Sequence, residues 1–204
     1  MRYRRLGSTE LMVSELGLEV RALLDDGEEA AEAALRSAID DGVTVFAWDV
    51  SDALEDVEPL IVRAAGVDRG RLTLVAVLDV LPPPEAIGPQ VEAIATRLDE
   101  PTAEGYLDVI AFPAIPDAAQ LDALAEVRAR GIVRFVGYAA DTDVEAPAEL
   151  PTGVDVLVLG GAPASGREGI GVIARTDPSE APTLLEGRAV SSVVTSAGVP
   201  LAVD

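Results

Sequence analysis

The chain has 204 residues and a mass of 21.1 kDa, which leaves room for one ordinary domain. Apolar residues make up 49% of the composition and charged residues 25%, so a folded globular chain is expected. There is no cysteine and no histidine, and all 15 basic residues are arginine. These absences exclude disulfides, thiolate nucleophiles, zinc fingers, an imidazole base and a lysine Schiff base.

The chain is strongly acidic, because 36 Asp and Glu residues outnumber the 15 basic ones and give a net charge of −21. A surface of this sign repels phosphate backbones and anionic lipids, so we expect no nucleic-acid partner and no membrane partner. No run approaches the roughly 18 apolar residues of a membrane span, and Met1–Leu11 has no apolar signal core. The protein is therefore predicted to be cytoplasmic.

The acidity also predicts a salt requirement. Repulsion among so many carboxylates opposes the compact state, and at about 1 M salt a Debye length of roughly 3 Å removes most of that repulsion. Abundant acids without lysine are typical of a salt-loving organism with GC-rich coding. We therefore expect a halophilic protein, and the alternative is an acidic mesophilic protein with the same coding bias.

Eight short runs rich in Val, Ile and Leu recur along the chain, which is typical of strands buried on both faces of a parallel sheet. The predicted strands are Glu15–Val20, Val43–Trp48, Leu72–Leu78, Leu107–Phe112, Val133–Ala139, Val154–Leu159, Gly171–Arg175 and Val190–Thr195.

Helical periodicity fills the connections between the early strands. It predicts helices at Glu28–Asp41, Ala53–Ala65, Pro84–Leu98 and Ala118–Arg130, and Gly131 lies where a C-cap glycine belongs. Eight strands that alternate with helices predict a TIM-type (β/α)8 barrel, with residues 1–204 as one domain.

The later connections are too short for full helices. Residues 141–153, 162–170 and 176–189 are interrupted by prolines, and nine residues follow Thr195. We therefore expect outer helices that are reduced or missing after the fifth to eighth strands. The apolar outer face of the last strands would then be exposed, and a second subunit, of the same or another kind, would cover it.

The opening segment Tyr3–Leu18, YRRLGSTELMVSELGL, resembles the start of the aldo-keto reductases. In that family the segment forms a hairpin at the bottom of the barrel and then the first strand. Further resemblances, spread over most of the chain, lie at Ala34–Leu35, Asp41–Phe46, Tyr106–Ile110, Gly131–Gly137 and Gly169–Arg175.

The resemblance implies carbonyl reduction with NADPH through an Asp, Tyr, Lys and His tetrad. Aligned with the family pattern, the four positions fall on Ala47, Asp52, Leu78 and Pro113, and the chain has no lysine or histidine elsewhere. A tyrosine with a pKa of about 10 needs a neighbouring cation to donate its proton well. We therefore assign no catalytic residue, and expect no cofactor, with NADPH as the cofactor only if the family activity survives.

The cofactor-binding residues are unknown at this stage. Thr195–Pro200 faintly resembles the phosphate-binding stretch of the family, and an arginine usual there falls on Gly198. Gly161–Glu168 imitates a phosphate-cradling loop, but Arg167 replaces the lysine and Glu168 replaces the hydroxyl residue. A plain turn is the favoured interpretation of that loop.

Five acids follow predicted strands, at the end of the barrel where such folds place their chemistry. Asp49, Asp79, Asp117, Asp141 and Asp143 could form a carboxylate ring for Mg²⁺ or Ca²⁺, although so acidic a chain puts a carboxylate near any loop. No metal ligand is assigned.

Two aromatic residues near strand ends are candidates for other roles. Tyr138 could donate a proton, and a packed aromatic residue is the favoured interpretation. Trp48, predicted at the barrel mouth, is expected to belong to the core, with ligand stacking as the alternative.

Together these features predict a non-catalytic, aldo-keto-reductase-like pseudoenzyme that serves as a structural or regulatory subunit. The alternatives are an NADPH-dependent carbonyl oxidoreductase with a rebuilt site, and a binding module for a small ligand or a divalent cation.

Overall fold

A short antiparallel hairpin begins the computed structural model, which describes residues 1–50, 57–98, 105–140, 150–161, 170–186 and 190–196. Its strands are β1 (Tyr3–Arg5) and β2 (Met12–Ser14). Leu6, Leu11 and Val13 of this hairpin are buried among the side chains that fill the barrel. The hairpin therefore forms the floor of the barrel, as the resemblance implied.

Eight parallel strands close into that barrel, and they follow one another around it in chain order. They are β3 (Leu16–Glu19), β4 (Val45–Val50), β5 (Thr73–Leu78), β6 (Leu107–Phe112), β7 (Val133–Ala140), β8 (Val156–Gly160), β9 (Gly171–Thr176) and β10 (Ser192–Ser196). The last strand pairs with the first of them, so that Val193 lies beside Leu16 and Ser196 beside Glu19. All eight predicted strands are present, and β6 has the predicted bounds.

Helices cover mainly the first half of the barrel. They are α1 (Val20–Leu23), α2 (Glu28–Asp40), α3 (Val57–Ala65), α4 (Pro84–Arg97), α5 (Ala118–Ala129) and α6 (Ala181–Glu186). The Asp117 side chain accepts from the Gln120 backbone and the Gln120 side chain accepts from the Asp117 backbone, which caps the start of α5. Gly131 follows α5 with φ of +77°, as predicted for a C-cap glycine. Within the described ranges, no helix is long and apolar enough to cross a membrane.

Alternation along the strands divides the core into two layers. Inside the barrel, small and β-branched side chains such as Val45, Ala47 and Val109 pack against the hairpin. The outward-facing side chains, including Phe46 and Phe112, pack under the helices. Filling the interior with small residues is consistent with an aromatic content of only 3%.

The helix-poor half of the barrel differs in one respect from the expectation. The outward side chains Leu157, Val172 and Val193 are buried, at 1%, 2% and 0% exposure, so the predicted exposed apolar face was wrong. The outer helices are reduced as predicted: α6 is the one helix in the described part of the chain after β7. Its Ala181 and Leu185 belong to the same buried cluster as those strand residues.

Two glycines bring the hairpin and β9 into direct contact. A Cβ placed on Gly7, whose φ is +58°, would lie 2.1 Å from the backbone nitrogen of Gly171. A Cβ on Gly171 would lie 2.6 Å from Cγ of Leu6. Only glycine at both positions allows the floor to sit this close to the barrel wall.

A buried ion cluster joins β5, β6 and β7 near their amino-terminal ends. Asp108 of β6 is fully buried, and its Oδ1 accepts from Nη1 of Arg134 at 2.8 Å. Its Oδ2 accepts from Nη1 of Arg69 at 3.1 Å and from the backbone nitrogen of Leu74 at 3.0 Å. We call Asp108, Arg69 and Arg134 the base cluster.

Candidate functional site

A cavity of about 510 Å³ lies at the carboxyl-terminal end of the barrel strands, which we call the mouth. This is the end at which barrels of this class place their binding and catalytic groups. The cavity is lined by Asp49, Val77, Leu78, Asp79, Pro113, Tyr138, Ala139, Ala140, Val158, Gly160 and Arg175.

Arg175 of β9 is the centre of the charge arrangement at the mouth. Its Nη1 and Nη2 donate to Oδ1 and Oδ2 of Asp49 at 2.7 and 2.8 Å, a two-pronged contact across the barrel. Its Nη2 also lies 2.7 Å from Oε2 of Glu19 on β3. We call Glu19, Asp49 and Arg175 the mouth cluster. The mouth cluster therefore links β3 and β4, the first two strands of the barrel, to β9 in its helix-poor half.

Glu19 is the least satisfied member of the mouth cluster. Its side chain is 13% exposed, and within the described residues no well-formed hydrogen bond reaches either carboxyl oxygen. Burial raises the pKa of Glu19 to about 7, because the attraction of Arg175 does not fully offset the lost hydration and Asp49 adds repulsion. The guanidinium of Arg175 therefore lies between two carboxylates, and it forms well-aligned hydrogen bonds with Asp49 but not with Glu19.

Arg175 is firmly charged in this setting. Burial by itself would lower the pKa of its guanidinium, but the hydrogen bonds to Asp49 and the negative charges of Asp49 and Glu19 raise that pKa above its usual range. Arg175 therefore remains a cation at all pH values relevant to the folded protein.

The positions that align with the reductase tetrad carry no proton donor among the described residues. Ala47 of β4 lies inside the barrel, Leu78 ends β5, and Pro113 directly follows β6. Leu78 and Pro113 line the cavity. The fourth position, Asp52, lies outside the described residues.

The predicted ring of carboxylates is only partly brought together. Asp49 and Asp79 line the cavity, whereas the Asp117 side chain is engaged in capping α5. Asp141 and Asp143 lie outside the described residues. In the part of the chain that the structure describes, no three acidic residues are grouped as a metal site would require.

The two aromatic candidates lie in the outer core. Tyr138 is 7% exposed and contributes to the cavity wall, and its hydroxyl makes no hydrogen bond to another described residue. Trp48 packs under α3, where its Nε1 donates to Oε1 of Glu58 at 3.2 Å, so its predicted place at the mouth was wrong. The alternation of β4 turns Asp49, rather than Trp48, toward the interior.

The described residues do not fit a phosphorylated dinucleotide. The one arginine among the described lining residues, Arg175, is already held by two carboxylates, and Asp79 adds a further negative charge. Bound phosphates would meet repulsion instead of the cations and free backbone donors that they need. Of the two phosphate-loop candidates, only Gly161 and the pair Thr195 and Ser196 are described; residues 162–168 and 197–200 lie outside.

Glu19 and Arg175 were not predicted as site residues. They are far apart in the chain, and although Arg175 ends the segment Gly169–Arg175 that resembles the family, neither residue was given a role in binding or catalysis. The available signal was alternation: Gly17 and Glu19 on β3, like Ile173 and Arg175 on β9, share the inward parity of the strands. A charged residue at an inward position near a strand end points to the mouth.

Comparison with solved structures finds the same architecture. An aldo-keto reductase from Bacillus halodurans in its holo form has a TM-score of 0.74 and 16% identity, with 97% of this chain and 86% of that one covered. A Pseudomonas aeruginosa protein assigned to the aldo-keto reductases has a TM-score of 0.74 and 16% identity, with 96% and 89% covered. A scan against family models and a search of curated proteins find no match. The chain therefore has the barrel fold of the aldo-keto reductases, in a shortened form with reduced outer helices.

Proposed function

We propose that the protein is a non-catalytic barrel with the aldo-keto reductase fold, acting as a regulatory or structural protein rather than as a carbonyl reductase. One observation carries the proposal. Of the four positions that align with the catalytic tetrad, the three that are described carry the apolar residues Ala47, Leu78 and Pro113, and Leu78 and Pro113 line the cavity.

The physical argument concerns proton supply. Hydride addition to a carbonyl needs a group that donates a proton to the oxygen, and losing that group typically lowers the rate by about 10²–10⁴. Tyr138 is the phenol in the cavity wall, and the cavity's arginine is held by Asp49 and Glu19 instead. Among the described lining residues, no unpaired cation is available to assist proton donation by a phenol.

The test is NADPH oxidation with a panel of short aldehydes in about 2 M KCl, a salt level that screens the carboxylates. We expect no turnover above the protein-free rate, and no heat of NADPH binding by calorimetry. Saturable turnover that is lost in Tyr138→Phe would overturn the proposal and support a rebuilt reductase. Trp48 fluorescence is not a suitable measure of NADPH binding, because Trp48 is buried beside Glu58 and does not line the cavity.

We further propose that the protein works as a subunit, with a second copy or another chain. Two exposed apolar residues support this proposal: Val80, 63% exposed, follows β5, and Ile115, 40% exposed, follows β6 at the same end of the barrel. Light scattering should give a mass above 21.1 kDa that falls in the double variant Val80→Ser, Ile115→Ser. Met12→Ser, exposed on the hairpin, is the matched control. A 21.1 kDa particle at all concentrations would contradict association with itself.

We also propose that the protein works in a salt-rich cytoplasm, supported by the net charge of −21. Screening of carboxylate repulsion should raise the melting temperature by several degrees between dilute buffer and molar KCl, since about 1 kcal/mol corresponds to roughly 2–4 °C in a domain of this size. An unchanged melting temperature would contradict the proposal.

A further inference from the structure

The charges that line the cavity do not balance. Asp49 and Asp79 contribute two negative charges and Arg175 one positive charge, and Glu19 lies behind Arg175. Even with Glu19 protonated, the described lining residues keep an excess of one negative charge. The arginine is also fully engaged, because both of its terminal nitrogens face Asp49.

Asp79 is the open acceptor of the site. It directly follows β5, it is exposed, and within the described ranges it has no hydrogen-bond or ion-pair partner. On the neighbouring strand, Asp49 lies opposite Val77, two residues before Asp79. Asp49 near the end of β4 and Asp79 just after β5 therefore lie close together at the mouth, where both line the cavity and can approach one bound cation.

Among the described lining residues other than Asp49, Asp79 and Arg175, the phenol of Tyr138 carries the one polar side-chain group, and the other side chains are apolar. Val77, Val158 and Ala139 face the interior by strand alternation, and Leu78 and Pro113 complete that wall. A volume of about 510 Å³ is typical of a cavity that encloses a small organic molecule. The wall suits a short hydrocarbon body, whereas a bare hydrated metal ion would gain nothing from it.

We propose that the cavity binds a small organic cation, a protonated amine or guanidinium on a short apolar chain. The cationic group donates to Asp79 and to the solvent-facing side of Asp49, and the chain lies against Val77 and Val158. An anion of the same size meets two carboxylates and an arginine that is already paired. A neutral molecule gains the apolar contacts without the charge-assisted hydrogen bonds.

The experiment compares three probes of equal chain length: n-pentylammonium, pentan-1-ol and pentanoate. Isothermal titration calorimetry on the full chain, at constant ionic strength in KCl, should show n-pentylammonium binding at least tenfold more tightly than pentan-1-ol, with pentanoate weakest. Equal binding of the amine and the alcohol, tighter binding of pentanoate, or no binding of any probe to the folded protein would overturn the proposal.

Variants locate the site. Asp79→Asn removes the open carboxylate and should weaken n-pentylammonium binding about tenfold while leaving pentan-1-ol binding unchanged. Asp122→Asn on the exposed surface of α5 changes the net charge equally and should leave both unchanged. If the two variants weaken amine binding equally, the attraction is that of the whole acidic surface, and the cavity proposal fails. The NADPH assay tests non-catalysis separately, so either proposal can fail alone.

Discussion

The two ion clusters at opposite ends of the barrel have inverse compositions. The base cluster places one carboxylate, Asp108, between two guanidiniums, and each of its oxygens accepts a hydrogen bond. The mouth cluster places one guanidinium, Arg175, between two carboxylates, and the oxygens of Glu19 lack well-formed hydrogen bonds. The fully satisfied cluster lies at the end that barrels use for stability, and the unsatisfied cluster at the end that they use for function.

The difference shows that a barrel can tolerate buried charges without a full set of hydrogen bonds at its mouth, the end at which such folds bind ligands. A buried charge makes its surroundings rigid when all of its hydrogen bonds are formed. When hydrogen-bond partners are missing, the buried charge lowers the stability of the folded state. At the mouth of this protein that loss of stability is limited, because Asp49 is 44% exposed. Four substitutions test the comparison, from the largest expected effect to the smallest.

Asp108→Ala should have the largest effect. The substitution leaves two guanidiniums and the backbone N–H of Leu74 without their buried acceptor, so we expect a loss of about 3–5 kcal/mol in the free energy of unfolding. Urea unfolding in molar KCl measures it. Asp122→Ala, at an exposed position on α5, should stay within about 0.5 kcal/mol of the original protein. A loss below about 1 kcal/mol for Asp108→Ala would show that the base cluster contributes little.

Arg175→Met should lower the unfolding free energy by about 2–3 kcal/mol, because Glu19 and Asp49 lose their shared cation. The loss is smaller than at the base, since Asp49 reaches water and Glu19 can take up a proton. Arg36→Met, which removes an exposed pair with Glu32 within α2, is the control and should cost under about 0.5 kcal/mol. Equal losses for the two arginine variants would contradict a stabilising mouth cluster.

Arg134→Met should cost about 1–2 kcal/mol, less than Arg175→Met. The reason is redundancy, because Asp108 keeps Arg69 and the backbone N–H of Leu74 after Arg134 is removed. The same urea experiment ranks the two variants. A larger loss for Arg134→Met than for Arg175→Met would reverse the comparison between the two ends.

Glu19→Gln should give the smallest change, a gain of about 1 kcal/mol at pH 8, because the amide avoids the cost of a buried charge but also loses the attraction of Arg175. Folding raises the pKa of Glu19 from 4.5 to about 7, so between these values the folded state keeps a proton that the unfolded state has released. The stability that Glu19 contributes is therefore complete below pH 4.5 and falls as the pH rises to about 7. Unfolding curves at pH 5 and pH 8 should show a weaker pH dependence in Glu19→Gln than in Glu126→Gln on exposed α5. Identical pH dependence in both would contradict the raised pKa.

Local sequence signals sufficed for the fold. Apolar runs predicted all eight barrel strands. Helical periodicity predicted the ends of α2, α4 and α5 to within one residue. Both predictions worked because each of these elements buries a face whose apolar pattern is visible in its own sequence. The prolines in residues 176–189, which include Pro182, led to the expectation of a reduced or missing helix there, and the short helix α6 forms. Pro182 stands at the second position of α6, where a missing N–H breaks no hydrogen bond.

Two features depend on contacts between distant parts of the chain and could not be predicted from local sequence patterns. They are the burial of the last strands and the formation of the mouth cluster. Leu157 and Val172 are covered within the chain itself, so short connections did not mean an exposed face. Glu19 and Arg175 meet only when β10 pairs with β3 and β9, and that register follows from closure of the whole barrel. Asp49 was predicted at the mouth correctly, but its arginine partner was not.

The contact between Gly7 and Gly171 sets an order of events during synthesis. The hairpin leaves the ribosome well before β9, the strand that supplies the wall against which the hairpin packs. Until then Leu6 and Leu11 have no complete apolar surroundings, and the interior of the growing barrel is open to water at its floor. Seating the hairpin and pairing β10 with β3 are therefore late steps that depend on each other. A chain released early would expose both an unpaired strand edge and an unseated apolar hairpin.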